Sequence, residues 1–149
     1  MPEHHLLFVN LPVAKLTRSK AFYEALGARV EPRFTDETAA CMVFSEAIHV
    51  MLLSHDKFRE FATRPIAEAR QVTETLLCLS AESRGEVDAT AARALGAGGT
   101  EPRAAQDYGF MYGRSVEDPD GHVWELMWMD AEGAAGAAPV ETPAETAGA

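Results

Sequence analysis

Ser19-Lys20-Ala21-Phe22-Tyr23-Glu24-Ala25-Leu26-Gly27 reads as a short amphipathic helix that carries its own stop signal. Phe22 and Leu26 stand at i and i+4 on one face, Thr17 is a candidate cap, and Gly27 is placed where a left-handed residue ends a helix. The chain repeats this pattern further on. Ser83 and Glu86 form a Ser-x-x-Glu capping box, Val87, Ala91, Ala94 and Leu95 supply an apolar stripe, and Gly96 is the expected stop. Strand-like runs surround each helix. In the first unit they are Leu6 to Leu11, a short stretch near Arg29 to Phe34, Ala40 to Phe44, and Ile48 to Leu53. In the second they are Thr75 to Ser80, a short stretch near Gly99 to Pro102, Tyr112 to Val116, and His122 to Met129. Turn residues join the last two strands of each unit, Ser45-Glu46-Ala47 and Asp118-Pro119-Asp120-Gly121. The offset between matching segments is about 70 residues, so the chain reads as a tandem repeat.

The expected architecture is α+β: two βαβββ modules forming a curved mixed sheet, with helices on its convex face and a concave ligand cup on the other. We expect a single domain over residues 1–130, with modules at about 5–55 and 72–130 and a linker helix at about 56–71. Residues 131–149 contain only Ala, Glu, Gly, Pro, Thr and Val and read as a disordered tail.

Composition narrows the function. Lys and Arg number 13 against 23 Asp and Glu, a formal net charge of −10, and 47% of residues are hydrophobic. A negative chain with no basic cluster repels phosphate backbones and anionic lipids, so neither nucleic acid nor membrane is an expected partner. No run approaches the roughly 20 apolar residues of a membrane span, and Met1-Pro2-Glu3-His4-His5 lacks the features of a signal peptide, so the expected location is cytoplasmic. Cys41 and Cys78 sit singly in apolar runs and read as buried thiols.

The helix quoted above, together with Glu117-Asp118-Pro119-Asp120-Gly121-His122-Val123-Trp124-Glu125-Leu126, resembles the vicinal oxygen chelate superfamily. That superfamily includes glyoxalase I, the bleomycin-resistance proteins, fosfomycin-resistance transferases and extradiol dioxygenases. The resemblance covers Leu6 to about Asp130 and is greatest to uncharacterised proteins related to lactoylglutathione lyase. It implies a divalent metal held in the cup by residues of the first and last strands of each unit. Those positions fall on Phe8, Met51, Leu76 or Leu77, and Glu125. Only Glu125 offers a suitable donor, so the standard metal site is not expected, as in the family's drug-binding members. A displaced site for a harder ion is the alternative. Strand alternation puts Asn10 on the face of Phe8 and His49 on that of Met51, each about 7 Å along, and these could converge with Glu125 on a divalent ion.

Each candidate has a plainer alternative. In the last strand Trp124, Leu126 and Trp128 should pack on the helices, which turns Glu125 to the cup. There it is a general base or ligand, or else half of a structural ion pair with Arg114. His49 is a second base candidate by its pKa, or an idle residue at the start of its strand. Asn10 either bonds neighbouring backbone or binds ligand. Phe8, Met51 and Met127 line the cup or simply fill it. The aromatic, glycine-containing run Gln106 to Gly113 suits a mobile flap presenting Tyr108 and Tyr112, with Arg114 as an anchor for an anionic group, or is an ordinary hairpin. His122 is expected to be exposed.

The function that follows is binding of a small, partly apolar or aromatic molecule in the cup of a homodimer. The enzymatic alternative is a glyoxalase-like lyase or isomerase, or a dioxygenase, working through Glu125.

Overall fold

The computed structural model describes residues 4–132. The expected disordered tail therefore lies, from residue 133 on, outside the described residues. The elements run β1 (Leu7–Val13), α1 (Leu16–Leu26), β2 (Arg29–Glu31), β3 (Ala39–Val43), β4 (Ile48–Ser54), α2 (His55–Phe61), β5 (Leu77–Ser80), α3 (Arg84–Gly96), β6 (Gln106–Asp107), β7 (Met111–Glu117) and β8 (Val123–Met129). This is the expected α+β fold. Each βαβββ module makes one four-stranded mixed sheet, ordered β1-β4-β3-β2 and β5-β8-β7-β6, with β1–β4 and β5–β8 parallel and the other pairs antiparallel.

Several details differ from the sequence reading. Helix α1 begins at Leu16 with no side-chain cap of its own. Asp120, from the turn before β8, supplies the missing acceptor: its carboxylate takes hydrogen bonds from Ala14 N at 2.9 Å and Ser19 Oγ at 3.3 Å. An anionic acceptor at a helix start satisfies orphan N–H groups and suits the dipole there, so Thr17 is left inside the helix. Gly27 does take left-handed backbone at φ +116°. In α3 the capping box forms, Ser83 Oγ accepting from Glu86 N at 3.0 Å, but the helix includes Gly96 and the left-handed residue is Gly98. Helix α2 ends at Phe61 rather than near 71, because Pro65 lacks an N–H and disfavours helical backbone at Arg64. No strand forms at 99–102, where only Thr100 bridges Glu117. The second module's short edge strand is β6, inside the run read as a flap.

One core joins both modules. It holds Phe22, Tyr23 and Leu26 of α1, Val87, Ala91 and Ala94 of α3, Met42, Val50 and Leu52 of the first sheet, and Val116, Trp124 and Leu126 of the second. The rings of Phe44, at the exit of β3, and Trp124, in β8, lie 5.6 Å apart. In one continuous sheet joined through edge strands β1 and β5, those strands would stand four spacings, about 19 Å, apart. The ring contact therefore shows a strongly curved arrangement in which both sheets pack on one core with α1 and α3. Each sheet therefore turns its second face away from the shared core. Phe8, Asn10, His49 and Met51 alternate with core residues on the outer face of the first sheet, and Cys78, Ser115, Glu125 and Met127 on that of the second.

A buried network fastens the seam. Tyr23 Oη donates to Asp118 Oδ2 at 2.7 Å and accepts from Trp124 Nε1 at 3.0 Å. Asp118 Oδ1 accepts from Asp120 N and His122 N at 2.9 and 2.8 Å. His122 is not simply exposed as expected: its Nε2 lies 2.7 Å from Pro12 O, where it ties the β7–β8 turn to the end of β1.

Candidate functional site

The outer face of the second sheet carries a cavity of about 570 Å³. Its floor is a row of side chains in cross-strand register, Cys78 on β5, Glu125 on β8 and Ser115 on β7. Met111, Met127 and Tyr108 give it apolar walls, and Arg103 and Gln106 stand at its side. Gly113, opposite Met127, would place a Cβ only against Leu126 O, so its lack of a side chain leaves this part of the cavity open. Among the described residues no hydrogen bond or ion pair reaches the Glu125 carboxylate, and no three His, Cys, Asp or Glu side chains are grouped to hold a metal.

Cys78 is the residue that sequence reasoning missed. It was expected to be buried, yet it is exposed, whereas Cys41 is buried as expected. The signal was available: in the alternation of Leu77, Cys78, Leu79 and Ser80 the leucines take the core face, which leaves the thiol beside Glu125. Partial burial first, and then the neighbouring Glu125 carboxylate, push the Cys78 thiol above its ordinary pKa.

The residues picked out from the sequence fall into separate places. Glu125, Met127 and Tyr108 share the cavity. Arg114 borders it, but its guanidinium lies on the opposite face, where it bonds Glu101 at 2.9 and 3.0 Å and Asp88 at 3.1 Å. The Tyr112 hydroxyl donates to the same Asp88 at 2.6 Å. Even-numbered residues of β7 face α3, so neither Tyr112 nor Arg114 extends its side chain into the cavity, and Arg114 pairs with Glu101 and Asp88 instead of Glu125. Those hydrogen bonds, Tyr112 first and Arg114 after it, hold the Asp88 carboxyl below its ordinary value.

Phe8, His49 and Met51 lie on the first sheet. The Phe8 and His49 rings stack at 4.6 Å, and His49 Nδ1 is buried without a partner among the described residues. Asn10 lines a different crevice of about 350 Å³, walled by Pro12, Phe58, Ile66, Leu77 and Val123. Asn10 and His49 are thus not brought together with Glu125 within one chain. A divalent ion at the positions the resemblance implies would meet Phe8, Met51 and Leu76 or Leu77, which have no hard donor, and one carboxylate. The protonated thiol beside that carboxylate does not repair the set. The residues present do not fit such an ion.

The run Gln106 to Gly113 is tied down. Arg84, at the start of α3, bonds both Asp107 oxygens at 2.8 Å and Gly109 O at 2.7 Å. The guanidinium fork holds the Asp107 carboxyl down to about 2.

Comparison with known proteins matches the fold. Residues 4–126 fit the family model described as Glyoxalase/Bleomycin resistance protein/Dioxygenase superfamily. Among solved structures, the hypothetical protein SA1046 from S. aureus is similar with a TM-score of 0.72 and 23% identity, over 86% of this chain and 95% of that one. A glyoxalase-related enzyme from Fulvimarina pelagi gives 0.70 and 21%, over 83% and 87%. The fosfomycin resistance protein FosX from Mesorhizobium loti gives 0.66 and 14%, over 91% and 100%. No curated protein matches. Among the described residues no helix is long and apolar enough to cross a membrane.

Proposed function

Because the chain belongs to the Glyoxalase/Bleomycin resistance protein/Dioxygenase superfamily, we propose that it is a cytoplasmic homodimer that binds a small, partly apolar or aromatic molecule over Glu125, without the standard metal site. The observation that carries this reading is the Glu125 carboxylate itself, unpartnered among the described residues and set in a cavity walled by Met111, Met127 and Tyr108. A carboxylate facing apolar walls gains from a polar partner, and the walls gain from an apolar body. Thioether walls adapt to irregular shapes.

The proposed second copy would complete the site. In such a dimer the first sheet of a partner lies over the second sheet of this chain and closes the cup. Leu76, Phe8 and Met129 are 52%, 50% and 43% exposed, an apolar surface of the sort that symmetric association covers. Sedimentation velocity of the wild type should therefore give a dimer. Phe8→Asp should sediment as a monomer at the same concentration with its thermal unfolding little changed; a dimer unaffected by this charge would place the interface elsewhere.

The binding reading is tested by thermal unfolding in the presence of a panel of phenolic, naphthyl and heteroaromatic compounds, with and without EDTA. A compound at about ten times its Kd should raise Tm by roughly 5 °C, equally with and without chelator, and by much less in Glu125→Gln. If stabilisation appears only with added divalent metal and vanishes in that variant, the metal-dependent enzymatic alternative replaces this reading.

A further inference from the structure

We propose that Arg84 is the latch that holds Gln106 to Phe110 as a wall of the Glu125 cavity, so that a side chain touching no ligand sets the size of molecule reaching Glu125. The proposal rests on the reading of this cavity as the ligand site.

The segment has little else to hold it. Strand β6 is only Gln106–Asp107, paired at the sheet's edge with Gly113 and Tyr112. Beyond it, Gly109 has left-handed backbone at φ +82°, and Tyr108 N bonds Met111 O at 2.8 Å, which closes the turn. At its far end Asp130 N bonds Phe110 O at 2.7 Å. Backbone bonds at the two ends are a weak attachment for a wall that presents Gln106 and Tyr108 to the cavity.

Arg84 supplies the attachment from another element. Its Nη1 and Nη2 take the two Asp107 oxygens in a fork, and Nη2 also bonds Gly109 O. Asp107 Oδ1 in turn accepts from Gly109 N at 2.9 Å, so the guanidinium and the turn lock one another. The cation lies 5.2 Å from the Tyr112 ring centre and 5.1 Å from that of Trp128. Both rings belong to the sheet that floors the cavity, and stacking on them fixes where the fork points. Lysine could not reproduce a planar fork with two rings behind it. The latch therefore joins three parts, the first turn of α3, the sheet, and the segment at the edge. Without it the wall keeps only backbone bonds at its two ends, and the stretch around Tyr108 swings away from the floor.

The cavity contains its own reporter, because Cys78 lines it and is exposed while Cys41, the other cysteine, is 1% exposed. The test measures alkylation of Cys78 by iodoacetamide and by N-(1-pyrenyl)maleimide, each rate normalised to that of free cysteine, with site assignment by peptide mass spectrometry. In the wild type the large reagent should be disfavoured relative to the small one. Arg84→Ala should raise the pyrenylmaleimide rate by about tenfold, the population shift expected on losing one bidentate charge-assisted pair, while the iodoacetamide rate changes less than about twofold. Asp107→Asn breaks the same fork from the other side and should produce the same selective gain. The double variant should match Arg84→Ala rather than sum the two, since the fork to Asp107 is already lost in that variant.

Cys41 labelling identifies a variant that has simply unfolded, in which case Asp107→Asn decides. Equal acceleration of both reagents, unchanged rates in the folded variants, or an additive double variant would each overturn the latch. Labelling needs no ligand, so this result stands or falls separately from whether Glu125 holds one.

Discussion

Asp118→Ala is expected to destabilise the fold by about 4 kcal/mol, because it strips a common acceptor from the Tyr23 hydroxyl and from two backbone N–H groups, Asp120 and His122. Asp118 and Tyr23 are 2% and 0% exposed, so water cannot readily replace the lost partner. The loss is a large share of the stability of an ordinary domain and should appear as a fall in Tm on the order of 15 °C. Asp118→Asn keeps one acceptor oxygen and should cost roughly half as much. The two variants also differ in pH dependence. Burial raises the Asp118 carboxyl above its ordinary value, although His122 and its hydrogen bonds oppose this. With a raised folded-state pKa, the group's contribution is complete below about pH 4 and is lost as pH climbs through the raised value. The stability gap between wild type and Asp118→Asn should therefore narrow from about pH 4 to about pH 7. Denaturant unfolding of the three proteins at both pH values checks this; a cost below about 1 kcal/mol for alanine would mean that the network does not hold the seam.

Gly99→Ala should cost nearly as much, about 3 kcal/mol, through overpacking rather than lost bonding. A Cβ there would sit 2.7 Å from Phe22 Cε2, 2.8 Å from Ala94 O and 2.9 Å from Glu117 O. Two of these are backbone oxygens that cannot turn aside, and Phe22 is fully buried in the core shared by both modules. Gly85, in the first turn of α3, is the matched control. Its Cβ would meet only Ser83 Oγ, at 3.8 Å, so Gly85→Ala should be neutral or stabilising by up to about 1 kcal/mol. Equal stability of the two variants would contradict the close seam between α1 and the second module.

These two sites explain why the motifs that carried the resemblance recur together in one chain. Tyr23 lies in the helix motif and Asp118 and Asp120 lie in the turn motif, and the fold brings the two motifs into contact across the seam between modules. The sequence made the helices, the chain order of most strands and the two turn-joined strand pairs legible, because periodicity, turn residues, the Ser83 box and Gly27 act locally. It also placed Trp124 and Leu126 in the core and Glu125 on the other face, since alternation needs only the strand itself.

What the sequence could not convey was relation between elements. Thr17 looked like a cap because the true acceptor, Asp120, is more than 100 residues away. Arg114 and Tyr112 were read toward the cup because an aromatic and basic run does not reveal its parity, and one residue of register decides which face each side chain takes. Alternation along single strands groups Asn10 and His49 with Glu125, but it carries no information on how far apart the two sheets hold those strands. The two sheets instead share one core, and the candidate residues lie on the sheet faces opposite it. The Arg84 fork likewise spans 23 residues and leaves no local pattern.

The measurement that bears most directly on binding over Glu125 is methyl NMR of protein labelled at its six methionines. Phenolic and naphthyl fragments would be titrated in the presence of EDTA. Met111 and Met127 line the cavity, whereas Met42 is fully buried in the shared core and serves as an internal reference. The expected result is saturable shifts of the Met111 and Met127 methyl signals, a still Met42, and roughly tenfold weaker affinity in Glu125→Gln, the loss of one charge-assisted contact. Cavity signals that stay fixed with every fragment, and that move instead only when stoichiometric divalent metal is added, would contradict it.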